Sequence, residues 1–158
     1  MFREIVRKKQ ALSEEECLEI LKSAKRGVLS VNGDDGYPYG MPLNHYYDPK
    51  DGKLYFHGGR IGHKIEAMKR DDRASFCVLD EGTLDPEGWF FHFRSVIVFG
   101  RIEFIEDEEK VIEKVRELSY KFTQDDGYID GEIAKDLKGT LMFALVPEHI
   151  TGKHVREK

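Results

Sequence analysis

The chain has 158 residues, with 30 acidic against 25 basic side chains, so its formal net charge is −5 when histidine is neutral. This balance argues against general nucleic-acid binding, because phosphate contacts need a surplus of Lys and Arg on one surface. The length predicts a single domain over residues 1–158 with a core of its own. The 40% hydrophobic fraction excludes a largely disordered chain.

Cysteine spacing and apolar runs give expectations about the compartment. Cys17 and Cys77 lack the paired spacing of a zinc site or a disulfide framework, and the histidines form no HExxH or i,i+4 pair. No stretch of 18 apolar residues occurs. We therefore expect reduced thiols in a cytoplasmic protein, without a membrane span, an export signal or a metal site.

The first third of the chain predicts a helix followed by a strand. Ser13 and Glu16 have the spacing of a capping box, and the apolar positions after them favour a helix over about residues 13–25. The segment GVLSVN, residues 27–32, is typical of a short buried strand.

A second strand is predicted within residues 37–47, where the sequence is rich in β-favouring residues. Pro38 and Pro42 each remove a ladder donor, which places this strand at an edge or a bulge of the sheet. A third strand, a helix and a fourth strand are then expected at residues 53–58, 60–71 and 74–81.

The second half predicts longer elements. Residues 89–107 favour either one bent strand or two, with Gly100 as the bulge or bend. Residues 107–123 predict an amphipathic helix, a short helical piece follows a glycine-containing loop, and residues 140–153 predict the last strand. The element order favours a small antiparallel barrel with helices packed outside it.

The segment FHGGRIGHK, residues 56–64, is a first candidate site. A glycine turn that enters a helix leaves backbone donors free, and Arg60, His63 and Lys64 add positive charge around them. This combination suits a phosphate group. The alternative is a structural turn that only happens to carry basic residues, because the segment is no complete Walker or Rossmann motif.

A second candidate site is PYGMPLNH, residues 38–45. Its prolines leave neighbouring backbone groups unpaired, and Tyr39 and Tyr46 could lie against a flat aromatic ligand. The alternative is an edge strand whose prolines only prevent aggregation.

Arg94 is a third candidate because it interrupts a strongly apolar strand. A guanidinium there needs a carboxylate or phosphate partner, since desolvating it alone would cost several kcal/mol. Strand alternation puts His92 on the same face. A ligand and a structural ion pair both remain open.

Five segments follow one another in an order typical of one family: GVLSVN, DGYPYGMPL, KLYFHGG, GHKIEAMKRDDRASF and FRSVIVFGRIEFIED. Together they resemble the pyridoxamine 5'-phosphate oxidase-like proteins with an FMN-binding split barrel, most of all their nitroimidazole-resistance (Nim) branch. The resemblance covers about residues 13–153. It implies a mostly β fold with helices, namely a six-stranded antiparallel split barrel, and a homodimer that holds FMN between its subunits.

The resemblance also implies particular site residues. His57 is expected to face the substrate in a catalytic role, and Thr151 and Lys153 are expected to approach the partner's flavin. With Arg60 added from the phosphate motif, the predicted cofactor-binding residues are Tyr39, Gly40, Met41, Pro42, Asn44, His57, Gly58, Arg60, His63, Lys64, Arg94, Ser95 and Lys153.

Two departures bear on the activity. The chain ends GKHVREK, without the Trp- and Arg-rich segment of pyridoxamine 5'-phosphate oxidase, and His63 stands where that enzyme has arginine. We therefore expect an oxidoreductase that takes electrons from NADH or NADPH and reduces a small electron-poor acceptor such as a nitro compound. The alternatives are a flavin- or haem-binding dimer without turnover, and a purely regulatory dimer.

Overall fold

The computed structural model describes residues 1–156, and its elements follow the predicted order. The helices are α1 (Glu14–Ser23), α2 (His63–Arg70), α3 (Glu108–Ser119) and α4 (Asp126–Asp136). The strands are β1 (Arg26–Asn32), β2 (Pro38–Asn44), β3 (Tyr46–Asp48), β4 (Lys53–Gly59), β5 (Arg73–Leu79), β6 (Thr83–Leu84), β7 (Phe91–Ile105) and β8 (Thr140–Val155).

The strands form one antiparallel sheet in the order β2-β1-β5-β7-β8-β4-β3, with β6 paired to β7. β2 and β3 lie at opposite edges of this order, yet only His45 separates them in the chain. The chain itself therefore connects the two edges and closes the sheet into a barrel. The proline-containing strand β2 lies at an edge, as predicted.

The strand count differs from the six that were expected, because the predicted strand at 37–47 is divided and β6 is added. Counting β2 and β3 as one interrupted strand, and setting aside β6 with its two residues, leaves the six strands of the barrel. The mostly β barrel with flanking helices is confirmed.

His45 interrupts the edge strand because its side chain is drawn into the interior. It is fully buried, and its Nε2 lies 2.7 Å from the carbonyl oxygen of Leu21 at the end of α1. The ammonium of Lys121, just after α3, donates to the carbonyl oxygens of His45 and Ala24, each at 2.6 Å. The point of barrel closure is thus bonded to α1 and to the segment after α3.

β7 is one long bent strand. Its register with β8 shifts between Phe99 and Gly100, which confirms the predicted bulge. A Cβ atom at position 100 would clash with the carbonyl oxygen of Val146 on β8, so the close approach of the two strands requires glycine.

Inward-facing side chains of the strands fill the barrel. The ring of Phe56 stacks on Phe143 at 5.3 Å between centroids and meets Phe76 edge-on at 5.0 Å. α1 and α2 add Leu21 and Met68 to this core, and the predicted Ser13–Glu16 capping box is present at the start of α1.

α3 is anchored to the barrel by a buried ion pair. Lys114 Nζ lies 2.5 Å from Asp48 on β3 and 2.9 Å from Glu117. Burial alone would lower the pKa of Lys114, but the hydrogen bonds to these carboxylates outweigh burial and raise it. This attachment sets the position of α3 beside the end of β4.

α4 is longer than the short helical piece predicted, with 11 residues. Gly127 and Gly131 weaken its sequence signal, whereas the fold stabilises the helix through an Asp125 cap and the buried side chain of Ile129. None of the helices within residues 1–156 is long and apolar enough to cross a membrane.

Candidate functional site

An unpaired cation lies where β4 ends and α2 begins. Lys64 Nζ is held over the backbone of Gly58, so close that a Cβ at position 58 would lie 2.8 Å from it. Among residues 1–156, no carboxylate lies within ion-pair distance of Lys64. Glycine at position 58 therefore makes room for a charge that lacks a protein partner.

The N-terminus of α2 adds backbone donors to this cation. Gly62 precedes the helix, and no side chain caps it. The first amides of a helix have no partner within the helix, and its dipole favours negative charge at this end. With Lys64 beside them, these donors form a place suited to one phosphate group.

His63 is held in place at the same helix end. Its ring stacks on Tyr39 of β2, with 4.1 Å between the ring centroids, and its Nε2 lies 3.5 Å from Asp34. Arg60 is oriented by a bond from its Nε to the carbonyl oxygen of Lys138, at 2.8 Å. The predicted phosphate residues therefore surround one corner of the barrel.

The predicted residues of β2 divide between the two faces of the strand. Tyr39 and Met41 point towards the core, and Met41 is buried there. Gly40, Pro42 and Asn44 are exposed on the outer face. Only these last three can offer a surface outside the barrel.

Next to this corner, a pocket of about 530 Å³ opens between the end of β4 and the helices α3 and α4. Asn44, His57 and Gly58 form its barrel side, and side chains that include Leu118, Phe122 and Ile129 form its helical side. The sequence predicted Asn44, His57 and Gly58 as site residues, but it did not predict the wall that α3 and α4 form.

His57 is set up for proton exchange in the wall of this pocket. Its side chain reaches solvent through the pocket, while the surrounding protein and then the nearby Lys64 lower its pKa. The imidazole is thus predominantly neutral at pH 7, with one nitrogen able to donate a hydrogen bond and the other able to accept a proton.

Arg94, Ser95 and Lys153 lie in a different region of the chain. Ser95 pairs with Lys153, whereas His57 pairs with Met142, so the two regions are 11 residues apart along β8. That separation is at most roughly 36 Å for extended chain. A single copy of the chain does not bring the predicted residues into one site.

Arg94 has a protein partner. Its Nε and its backbone N–H each donate to Asp80 at 2.8 Å, and although burial opposes it, this pairing keeps the pKa of Asp80 low. The structural ion pair that the sequence left open is therefore present, while a cofactor contact of Arg94 stays a prediction.

Residues 1–156 contain no group of three or more His, Cys, Asp or Glu side chains that could hold a metal ion. The unforeseen feature of the site is the pocket wall on α4. The sequence signal that could have predicted this wall is the apolar pattern of Tyr128, Ile133 and Leu137. The glycines and acidic residues between these positions obscure that pattern.

Comparison with known proteins gives a consistent result. The family model described as pyridoxamine 5'-phosphate oxidase matches residues 13–154. No curated protein matches the chain in sequence.

Three solved structures share the fold. A proposed 5-nitroimidazole antibiotic resistance protein of Bacteroides thetaiotaomicron has a TM-score of 0.75 and 21% identity, covering 91% of this chain and 86% of its own. An FAD-binding protein of Mesorhizobium loti has a TM-score of 0.67 and 25% identity, with coverages of 93% and 98%. An FAD- and haem-binding protein of Mycobacterium smegmatis has a TM-score of 0.71 and 21% identity, with coverages of 94% and 74%.

Proposed function

The chain belongs to the pyridoxamine 5'-phosphate oxidase family, and on this premise we propose that it is an FMN-dependent oxidoreductase. It takes electrons from NADH or NADPH in the cytoplasm and reduces a small electron-poor acceptor such as a nitro compound. The flavin-binding names of the M. loti and M. smegmatis proteins and the nitroimidazole-resistance name of the B. thetaiotaomicron protein support this direction.

The observation that carries the proposal is the unpaired Lys64 ammonium over Gly58, at the uncapped start of α2. A buried or half-buried cation without a partner is costly, and a phosphate bound there would supply the missing charge. Because the cations gather at one helix end, they suit a single terminal phosphate, which favours FMN over the longer FAD.

The remaining residues have separate tasks. Bound flavin supplies the two-electron chemistry itself. Gly40 and Pro42, which are exposed, would border the flavin ring, and Asn44 lies at the pocket edge. His57 holds or releases a proton at its imidazole beside the bound acceptor.

A homodimer accounts for the separation of the predicted residues. Val28 and Ile97 expose apolar side chains on the outer face of the sheet, at 43% and 38%, in a register row that also contains Thr151. Ser95 and Lys153 lie on the same face, two residues away from Ile97 on β7 and from Thr151 on β8. When a second copy binds to this face, Ser95 and Lys153 of the first copy would lie near the flavin of the second.

The decisive experiment is the visible spectrum of the purified protein, followed by reduction with NADH or NADPH and addition of nitro compounds. Flavin absorbance near that of free FMN, bleaching by the nicotinamide and recovery with the acceptor would support the proposal. Protein that is colourless and fails to bind added FMN would refute it.

The second candidate is a cofactor-binding dimer without turnover. The similarity to the M. smegmatis protein, which is named for FAD and haem binding, supports this second candidate. A haem would give an intense Soret band, with a histidine as axial ligand. Bound flavin that no nicotinamide reduces would favour storage or carriage over catalysis.

A further inference from the structure

We propose that the pocket between α3 and α4 is the acceptor site and that it selects flat aromatic molecules by charge, taking cationic ones best, neutral ones next and anionic ones least. This inference rests on the proposed function and adds a substrate class to it. Neither the family model nor the neighbours assign that class.

The shape and lining of the pocket suit a small aromatic molecule. Its volume of about 530 Å³ is in the range of small-ligand sites. Val115, Leu118 and Ile133 form an apolar wall, and the rings of Phe122 and Tyr128 stand at the opening, where both are exposed. A flat ring can slide between these side chains and approach His57 on the opposite wall.

The charged carboxylates and ammonium or guanidinium groups in the pocket lining are of one sign, while Lys64, whose Nζ lies beside Gly58 of the lining, is assigned to the proposed cofactor phosphate. Glu132 and Asp136, one turn apart on α4, border the pocket, whereas no lysine or arginine from residues 1–156 does. Neither carboxylate lies within ion-pair distance of a described basic side chain. His57 is predominantly neutral at pH 7, because burial and then the nearby Lys64 lower its pKa.

The remaining acidic residues of α4 show that this arrangement is particular to the pocket side. Asp126 and Asp130, which face away from it, are both paired with Arg116 of α3. Arg116 offsets part of their charge within the protein, whereas the charge of Glu132 and Asp136 is left to act on a ligand.

The two ends of the site are therefore electrically opposite. Lys64 and Arg60 stand at the α2 corner, where the cofactor phosphate is proposed, and the carboxylates stand at the α4 side. A phosphorylated substrate in the pocket would meet the two carboxylates, while Lys64 and Arg60 are already occupied by the proposed cofactor phosphate, so the pocket does not suit a vitamin B6 phosphate.

Three probes of nearly equal shape test the order: 4-nitrobenzylammonium, 4-nitrobenzyl alcohol and 4-nitrobenzoate. An exposed carboxylate about 6 Å from a unit charge changes affinity by roughly threefold in water. With two carboxylates, we expect kcat/KM of the flavin-loaded protein to fall roughly tenfold at each step from cation to neutral probe to anion. Equal values, or a preference for the benzoate, would overturn the proposal.

The double variant Glu132→Gln/Asp136→Asn should bring the kcat/KM values of the three probes close to one another. The control is Glu15→Gln/Glu19→Gln, which removes two charges at the same spacing from the exposed face of α1, outside the pocket lining. If the control variant flattens the order equally, net charge rather than the pocket is responsible, and the proposal fails.

A binding measurement separates this inference from the proposed oxidoreductase activity. 4-Methylbenzylammonium and 4-methylbenzoate cannot be reduced, and their binding is followed through the amide signals of Gly58 and Gly139, which border the pocket. If the protein shows the same charge order in binding but no turnover, the proposed oxidoreductase activity is refuted and the charge-selective pocket is supported.

The variant Ile133→Trp should block binding of the probes and leave the affinity for FMN unchanged. An equal loss of FMN affinity would assign the pocket to the flavin ring instead.

Discussion

At the residue scale, Gly58 leaves the space in which the Lys64 ammonium lies, where a ligand can bind it. This ammonium needs the space that a side chain at position 58 would occupy, and it has no carboxylate partner within residues 1–156. The lysine is therefore held by packing and left unneutralised, a combination typical of a ligand contact rather than of a stabilising ion pair.

Lys64→Ala should weaken FMN binding by about 2 kcal/mol, roughly thirtyfold in Kd, because a charge-assisted hydrogen bond to phosphate is lost. Removing Arg60 as well should add to the loss. Titration of apoprotein by flavin fluorescence quenching measures it. Lys69→Ala, in the last turn of the same helix, is the matched control, and equal losses in both variants would contradict a specific phosphate contact.

His45 makes the stability of the protein depend on pH. Burial, and then the nearby Lys121, lower its pKa to about 4, against the hydrogen bond to Leu21 that raises it. Between the ordinary histidine pKa of 6.5 and about 4, the unfolded chain binds a proton that the folded chain does not. The stabilisation is therefore complete above pH 6.5 and is lost as the pH falls towards 4.

His45→Gln keeps a group that can donate to the Leu21 carbonyl and removes the titration. Between pH 7 and pH 5 the wild type should lose about 2 kcal/mol more unfolding free energy than this variant. Urea denaturation at the two pH values measures the difference. Parallel losses in both proteins would show that His45 does not titrate on unfolding.

At the scale of elements, β7 and β8 form the longest strand pair of the barrel, and this pair contains a bend. The bend is placed by one residue, because at the shift between Phe99 and Gly100 the two backbones approach too closely for any Cβ. The rest of β7 can then pair with β8 on both sides of the bulge.

Gly100→Ala should destabilise the fold by about 1–3 kcal/mol, since the added methyl group must push β8 away or distort the bulge. Gly139→Ala is the control, because a Cβ there would meet open space. Thermal and urea unfolding of both variants provide the comparison. If the two variants unfold alike, the close approach at position 100 is not required.

At the scale of the whole molecule, the predicted cofactor residues lie in two distant regions of one chain, linked by an exposed apolar row. Hydrophobic side chains such as Val28 and Ile97 on the outer face of a sheet are expected where another surface covers them. We propose a second copy of the chain as the partner that covers this row and completes the flavin site.

Ile97→Asp should convert a dimer to monomer and lower flavin affinity together, because a charge in the buried centre of an interface is unpaired. Sedimentation velocity gives the oligomeric state, and flavin titration gives the affinity. Val6→Asp, at a side chain that is 93% exposed, should change neither. A wild-type protein that is monomeric with full flavin affinity would contradict the dimer.

Much of the architecture could be predicted because its signals are local. The capping box at Ser13, the prolines of β2 and the glycine bulge at Gly100 each act within a few residues, and all three appear where the sequence placed them. The basic group around Lys64 was also visible, since a glycine turn before a helix is a short pattern. The single domain over residues 1–158 stays a prediction.

The sequence alone determined the order of helices and strands and the family segments, because propensity, capping and turn chemistry depend on neighbouring residues. Only the tertiary structure decided that Arg94 pairs with Asp80, that His45 closes the barrel as a buried group, and that Glu132 and Asp136 border a pocket. These features depend on strand register and on helices packed against distant strands. Such contacts are set by long-range burial, which no local pattern records.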